Sequence, residues 1–226
     1  MTDADLPSVP ESTLWPAAEQ ALPASSAPAP WTTQVRAILW AHRATPWHEL
    51  ERTDRRTIPL TVAAAVDYLD TPVGAYSEVF ASPRLLRAVD LPTLSIPFIA
   101  VDSPASVHGG RTEWALPKTV ARFVWSRAGA EPSGVRAESA PESPVPWWVD
   151  VDVVRRSPAF PLAGGLRLVQ PWPDGRWRRA TVSLRGSARL AQVRTGAGGP
   201  TLPRWLLAGT HPGLVVEGEM TISRPR

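Results

Sequence analysis

The chain has 226 residues, 24 basic and 21 acidic side chains, a formal charge of +3 and no cysteine, which suits one domain with a sizeable core and excludes disulfides, a thiolate nucleophile and cysteine-bound zinc. No apolar run approaches the roughly 20 residues of a membrane-spanning helix, so no membrane partner is expected, and no export signal is seen at the N-terminus, so a cytoplasmic address is the default expectation. The pI of 10.1 reflects arginines scattered among acids, and no nucleic-acid partner is expected from it.

Residues 1–30 are crowded with Pro, Ala and Ser and read as an extended, weakly ordered arm in which Leu14 and Trp15 can dock locally. Residues 31–226 form the expected single domain. Strands are predicted over 34–43, 60–68, 73–80, 94–101, 119–125, 145–154, 166–170, 177–193 and 214–223. Several alternate apolar and polar residues, as Val149, Val151 and Val153 do against Asp150 and Asp152, which is the period of a half-buried strand. Short helices are predicted over 103–110 and 203–209. Gly196, Gly198 and Gly199 read as a flexible connection rather than a phosphate-cradling loop, since Pro200 follows them. The fold class is mostly β or α+β, a curled antiparallel sheet or β-barrel with a few short helices.

The histidines at 42, 48, 108 and 211 have no metal-ligand spacing, and there is no GxSxG elbow. No metal and no cofactor are expected. One residue is chemically set apart. Of the 24 basic residues, Lys118 alone is lysine. Arginine keeps its proton at any accessible pH, whereas a desolvated lysine can release its proton and act as a nucleophile. Lys118 stands at the start of a strand, after Leu116 and Pro117 and before Val120. A side chain pointing inward there would be desolvated and its ammonium pKa lowered. The alternative is a lysine guarding a strand edge.

The segment LSIPFIAVDSPASVHGGRTEWALPKTVARFVW, residues 94–125, resembles the acetoacetate decarboxylase superfamily, whose pattern is a PFxxVDS-like strand, a short helix, a GRE-like turn and a PKK-like step bearing a Schiff-base lysine. Pro97, Phe98, Val101, Asp102, Ser103, Gly110, Arg111, Pro117 and Lys118 match it. Upstream, PVGAYSEVF resembles the family's PxGxYxE strand and brings in Glu78, and Pro30-Trp31 followed by Arg36 has the family's spacing to an active-site arginine. The likeness runs over about residues 30–223. Thr119 stands where the decarboxylases have a second lysine, and Thr112 replaces the acid of the GRE-like turn, with Glu113 one place late.

The resemblance implies a cone-like or barrel-like β-fold that self-associates as a homo-oligomer. It implies a lyase in which the Lys118 amine forms an iminium with a small oxo acid, most simply to decarboxylate a β-keto acid, with the protein itself in the cofactor's role. Glu78 would handle protons or orient the substrate, Arg36 would hold a carboxylate, and Arg111 would support the turn. Aldolase- or dehydratase-type imine chemistry in the same fold is the alternative, as is a member that binds a small molecule without turning it over.

Overall fold

The computed structural model describes residues 6–46, 57–86 and 91–226; His48 lies outside them. Among the described residues, thirteen strands form one sheet in the order β10-β9-β8-β7-β4-β3-β1-β13-β12-β11-β6-β5-β2. The barrel strands are β1 (Trp31–Arg43), β3 (Leu60–Asp70), β4 (Tyr76–Ser82), β7 (Phe98–Val101), β8 (Lys118–Ala128), β9 (Glu131–Ser139), β10 (Trp148–Arg156), β12 (Trp177–Gly198) and β13 (Gly209–Ile222). A further pairing of β10 with β12 closes them into a ring and removes both edges. The remaining strands are β2 (Thr57–Ile58), β5 (Leu85–Leu86), β6 (Thr93–Leu94) and β11 (Phe160–Pro171). Pairing is antiparallel except between β7 and β8 and between β6 and β11.

Closure depends on β12, which is 22 residues long and changes neighbour along its length. Its first half pairs with β11 up to Ala188, and its second half pairs with β10 from Ala191 onward. At the switch, the Ser157 amide donates to the carbonyl of Leu190 at 2.8 Å, and the Leu190 amide donates to Ser157 Oγ at 3.0 Å. Pro158 follows directly and cannot donate to a ladder, so β10 ends there and the chain leaves to begin β11. Gly196 and Gly198, expected as part of a flexible connection, are residues of β12 instead. The indole of Trp148 lies over them, and a Cβ on Gly198 would meet its ring nitrogen, so glycine here admits a packed aromatic.

The barrel is filled by small and medium residues from almost every wall, among them Ile38, Ala65, Val79, Ala100, Ala121, Val149 and Val193. The arm expected over residues 1–30 is not loose where the structure describes it. Val9 joins this core together with Trp205 and Leu206, and its amide donates to the carbonyl of Pro97 at 3.1 Å. Glu11, only 1% exposed, accepts from Thr201 Oγ at 2.7 Å and from the Leu202 amide at 2.9 Å. It thereby holds α3 (Leu202–Trp205), which is shorter than the helix predicted over 203–209, against the barrel end. Apolar burial of Leu6, Val9 and Leu14 offsets the ordering entropy that composition alone suggested would win.

A second packed layer lies outside the barrel wall. Helix α1 (Pro16–Gln20) and helix α2 (Pro104–Trp114) cover that face. Leu14, Ala18 and Val107 there meet Val35, Ala64, Tyr68 and Tyr76 from the barrel strands. Strand β9 was missed from sequence because its stretch EPSGVRAES carries Pro, Gly and charges and has no clean alternation; neighbours β8 and β10 hold it in the sheet. Glu11→Ala is expected to lower the unfolding free energy by about 2–3 kcal/mol, because it leaves buried donors unpaired. Urea denaturation of the two proteins measures this.

Candidate active site

Alternation along three strands brings the chemistry together. In β4, Val79 and Ala81 face the barrel core while Tyr76, Glu78 and Phe80 face the outer layer. In β8, Ala121 faces the core, so Lys118 and Val120 face outward. Strand β7 lies between them, with Val101 opposite Glu78 on one side and opposite Val120 on the other. Lys118 and Glu78 therefore meet across β7 beneath α2. The Lys118 Nζ donates to Glu78 Oε2 at 2.7 Å and to Ser106 Oγ at 2.9 Å. Tyr68 donates to Glu78 Oε1 at 3.2 Å, and its ring stacks on Tyr76 with centroids 4.3 Å apart. The Lys118 Nζ stands 5.2 Å from the Tyr76 ring centroid.

The local sequence explains why these groups stay in place. Asp102 Oδ1 accepts from the Ser77 amide at 2.7 Å and pins the residue beside Glu78. Ser103 caps α2 by accepting from the Ser106 amide at 3.2 Å, and Pro104 occupies the first turn, where no amide is missed. The helix ends at Ala115, which is in the left-handed region with φ 52°, an uncommon conformation for a residue with a Cβ. From there Leu116 and Pro117 turn the chain into β8. Arg111 Nη1 donates to the carbonyl of Lys118 at 3.0 Å, the supporting role expected of it. Gly110 has a steric reason: a Cβ there would lie 2.5 Å from Lys118 Cδ. Glu113, one place late in the sequence pattern, accepts from the Ala29 amide at 2.9 Å and so fastens the arm to α2.

Lys118 is 3% exposed and Glu78 is 4% exposed. Burial is the largest single influence on the lysine and pushes its pKa down, but the Glu78 carboxylate and Tyr76 together outweigh it, so the ammonium lies above the ordinary 10.5. This corrects the expectation that burial alone would lower the pKa: the sequence showed an apolar setting and not the counter-charge within it. Burial, then the Glu78 charge, push the Tyr68 hydroxyl well above its ordinary 10.0. Burial raises Tyr76 as well, against the opposing pull of the Lys118 charge.

Arg36 is not in this cluster. Its neighbours Val35 and Ala37 pack in the outer layer with Tyr68 and Tyr76, so Arg36 points with Ile38 and Trp40 to the inner face of β1. There its Nη2 donates to Glu217 Oε1 at 3.0 Å, at a shallow polar cleft that opens to solvent and also contains Glu131 and Arg189. A one-residue shift along a strand reverses the face, and motif spacing could not exclude that shift. Thr119, at the position of the expected second lysine, points away from the amine and donates to the carbonyl of Thr13 at 3.0 Å. Ser106, Tyr68 and Tyr76 were not singled out from sequence. Two signals were present: Ser106 and Gly110 lie four apart on one helix face, and Tyr76 lies two before Glu78 on one strand face.

Among the described residues no group of three or more His, Asp or Glu could hold a metal ion, and no helix is long and apolar enough to cross a membrane. No family model and no curated protein sequence matches the chain. Solved structures do. Acetoacetate decarboxylase from Legionella pneumophila is similar with a TM-score of 0.62 at 13% identity, over 91% of this chain and 92% of that one. An acetoacetate decarboxylase-like enzyme from Sphingomonas wittichii gives 0.57 at 13% identity, over 88% and 93%. The enduracididine biosynthesis enzyme MppR, with HEPES buffer bound, gives 0.55 at 18% identity, over 88% of each chain.

Two outcomes test the pair. Glu78→Gln leaves the ammonium buried without a counter-charge; the expected loss is about 3–5 kcal/mol of stability at neutral pH, with the Lys118 pKa falling below its value in the unmodified chain. In the unmodified chain the folded pKa is raised, so the stability contributed by Lys118 is complete below about 10.5 and declines as pH rises above it, where the unfolded lysine has lost its proton and the folded one has not. Chemical denaturation across the pH range, with ¹⁵N-lysine NMR of the single Nζ, measures both.

Proposed function

We propose that this chain, which has the acetoacetate decarboxylase-like fold, is a lyase that forms a Schiff base between Lys118 and a small oxo acid and releases carbon dioxide from it. The observation that carries the reading is the 2.7 Å contact between a buried lysine and a buried glutamate. Such a pair can exchange a proton without water. Lys118 passes one proton to Glu78, and the freed lone pair makes a C–N bond to the substrate carbonyl carbon. The carbonyl oxygen takes a proton from the nitrogen to give the carbinolamine, then one from Glu78, and leaves as water. An iminium and an ionised Glu78 remain, so charge and protons balance. The iminium accepts the electron pair of the C–C bond as carbon dioxide departs, and the resulting enamine is protonated on carbon and hydrolysed.

The raised lysine pKa describes the resting pair and has a direct consequence. The carboxylate that holds the amine as ammonium is also the group that can take its proton, so in the resting pair attack begins with proton transfer to Glu78. Decarboxylation is favoured over chemistry that keeps the carboxylate. The groups that surround Nζ are a carboxylate, a hydroxyl and an aromatic ring, and none is a cation that would hold a retained carboxylate. A substrate carboxylate beside Glu78 is poorly solvated, and its loss as neutral carbon dioxide relieves that.

Borohydride reduction in the presence of a panel of β-keto and other oxo acids tests the reading. The expected result is one reduced adduct, mapped to Lys118, absent in Lys118→Ala and accompanied by carbon dioxide release. Glu78→Gln should lower the adduct yield by at least about tenfold, because the carbinolamine loses the acid that expels its water, even though the lysine is then easier to deprotonate. An adduct without carbon dioxide release would replace decarboxylation with aldol- or dehydration-type chemistry, and no adduct with any oxo acid would remove the Schiff-base reading for those substrates.

A further inference from the structure

We propose that Ser106 is the positioning residue of this site: its hydroxyl holds one N–H of the Lys118 amine, so that the lone pair freed by proton transfer is kept off the serine and meets the carbonyl compound on the Glu78 side. This rests on the preceding reading for its substrate and adds to it a residue and a direction of attack.

The geometry supplies the argument. A lysine ammonium has three N–H donors. Glu78 Oε2 takes one at 2.7 Å and Ser106 Oγ takes another at 2.9 Å. On its remaining side the Nζ stands 5.2 Å from the centroid of the Tyr76 ring. When Glu78 removes its proton, two N–H bonds remain, and the bond to Ser106 Oγ holds one of them. The lone pair is thereby kept off the serine side and made available on the Glu78 side. An electrophilic carbon placed there is beside the newly protonated Glu78, which is the group that must give its proton to the departing oxygen.

Ser106 is suited to this by its surroundings. It is 0% exposed, so no bulk water competes for its hydroxyl. Its backbone amide is fixed by Ser103 Oγ at 3.2 Å. It lies in the first turn of α2, four residues before Gly110, on the face that meets the lysine. Gly110 lets the helix come against the lysine stem, since a Cβ there would lie 2.5 Å from Cδ. One helix face thus holds the stem through an absent side chain and the amine through a short one. A hydroxyl can accept from Nζ and donate onward, which alanine cannot do.

The test uses formaldehyde, the smallest carbonyl, with cyanoborohydride. Peptide mass spectrometry reads methylation of Lys118 against methylation of the N-terminal amine in the same molecule. In Ser106→Ala the ratio of Lys118 to N-terminal methylation at pH 8 is expected to fall about tenfold, a moderate penalty for a misdirected nucleophile. The ¹⁵N signal of Nζ should at the same time titrate at lower pH than in the unmodified chain, because an acceptor of the ammonium is gone. The two readouts move in opposite senses only if Ser106 aims the amine: easier deprotonation and more space would each speed methylation. An unchanged or raised ratio in Ser106→Ala overturns the proposal, and so does an unmodified chain whose Lys118 is not methylated at all. The oxo-acid trapping experiment decides the reaction separately, so failure there with a reduced ratio here would leave the aimed amine and change only its substrate.

Discussion

The 2.7 Å ion pair between Lys118 and Glu78 is the interaction on which the outer layer is organised. Two opposite charges taken out of water cost several kcal/mol each before their attraction returns any of it, and a fold that buries them must hold both closely. Asp102 pins Ser77 next to Glu78, Tyr68 bonds the other carboxylate oxygen, and Arg111 holds the lysine backbone. Tyr68 and Arg111 are buried polar side chains that serve the pair, and Asp102 serves it from the exposed side of the strand. The same low-polarity setting that makes the pair costly to bury makes proton transfer within it direct.

The barrel gives this pair a rigid base. Closure through β12 leaves no exposed ladder around the ring, and small interior residues such as Ala63, Ala65, Ala81 and Ala100 let the walls come close together. With the inside filled, polar chemistry has two places left. One is the outer face under α2, where Lys118 lies. The other is the charged mouth, where Arg36, Glu131, Arg189 and Glu217 pair with one another. The N-terminal residues close the opposite end through Val9 and Glu11 and reach the lysine strand through the carbonyl of Thr13. The segment that composition marks as weakly ordered is therefore a structural part of both the barrel and the site.

Sequence by itself determined what depends on local chemistry and period. The alternating strands, the helix beginning at Ser103-Pro104 and the single lysine after Leu116-Pro117 were all legible, because capping, turn chemistry and side-chain type act over a few residues. Glu78 was legible as a motif residue, and its face followed from alternation within one strand. Tertiary structure decided the matters that join distant segments. It placed Arg36 on the inner face, since the face of a strand is set by its neighbours and a motif allows a one-residue shift. It supplied Lys118 with a partner 40 residues away in sequence, turning an expected lowered pKa into a raised one, because the sign depends on whether desolvation or counter-charge prevails at one point in space. It also recruited Ser106 and ordered residues 6–30, for burial and hydrogen bonding at those positions exist only once the sheet has closed.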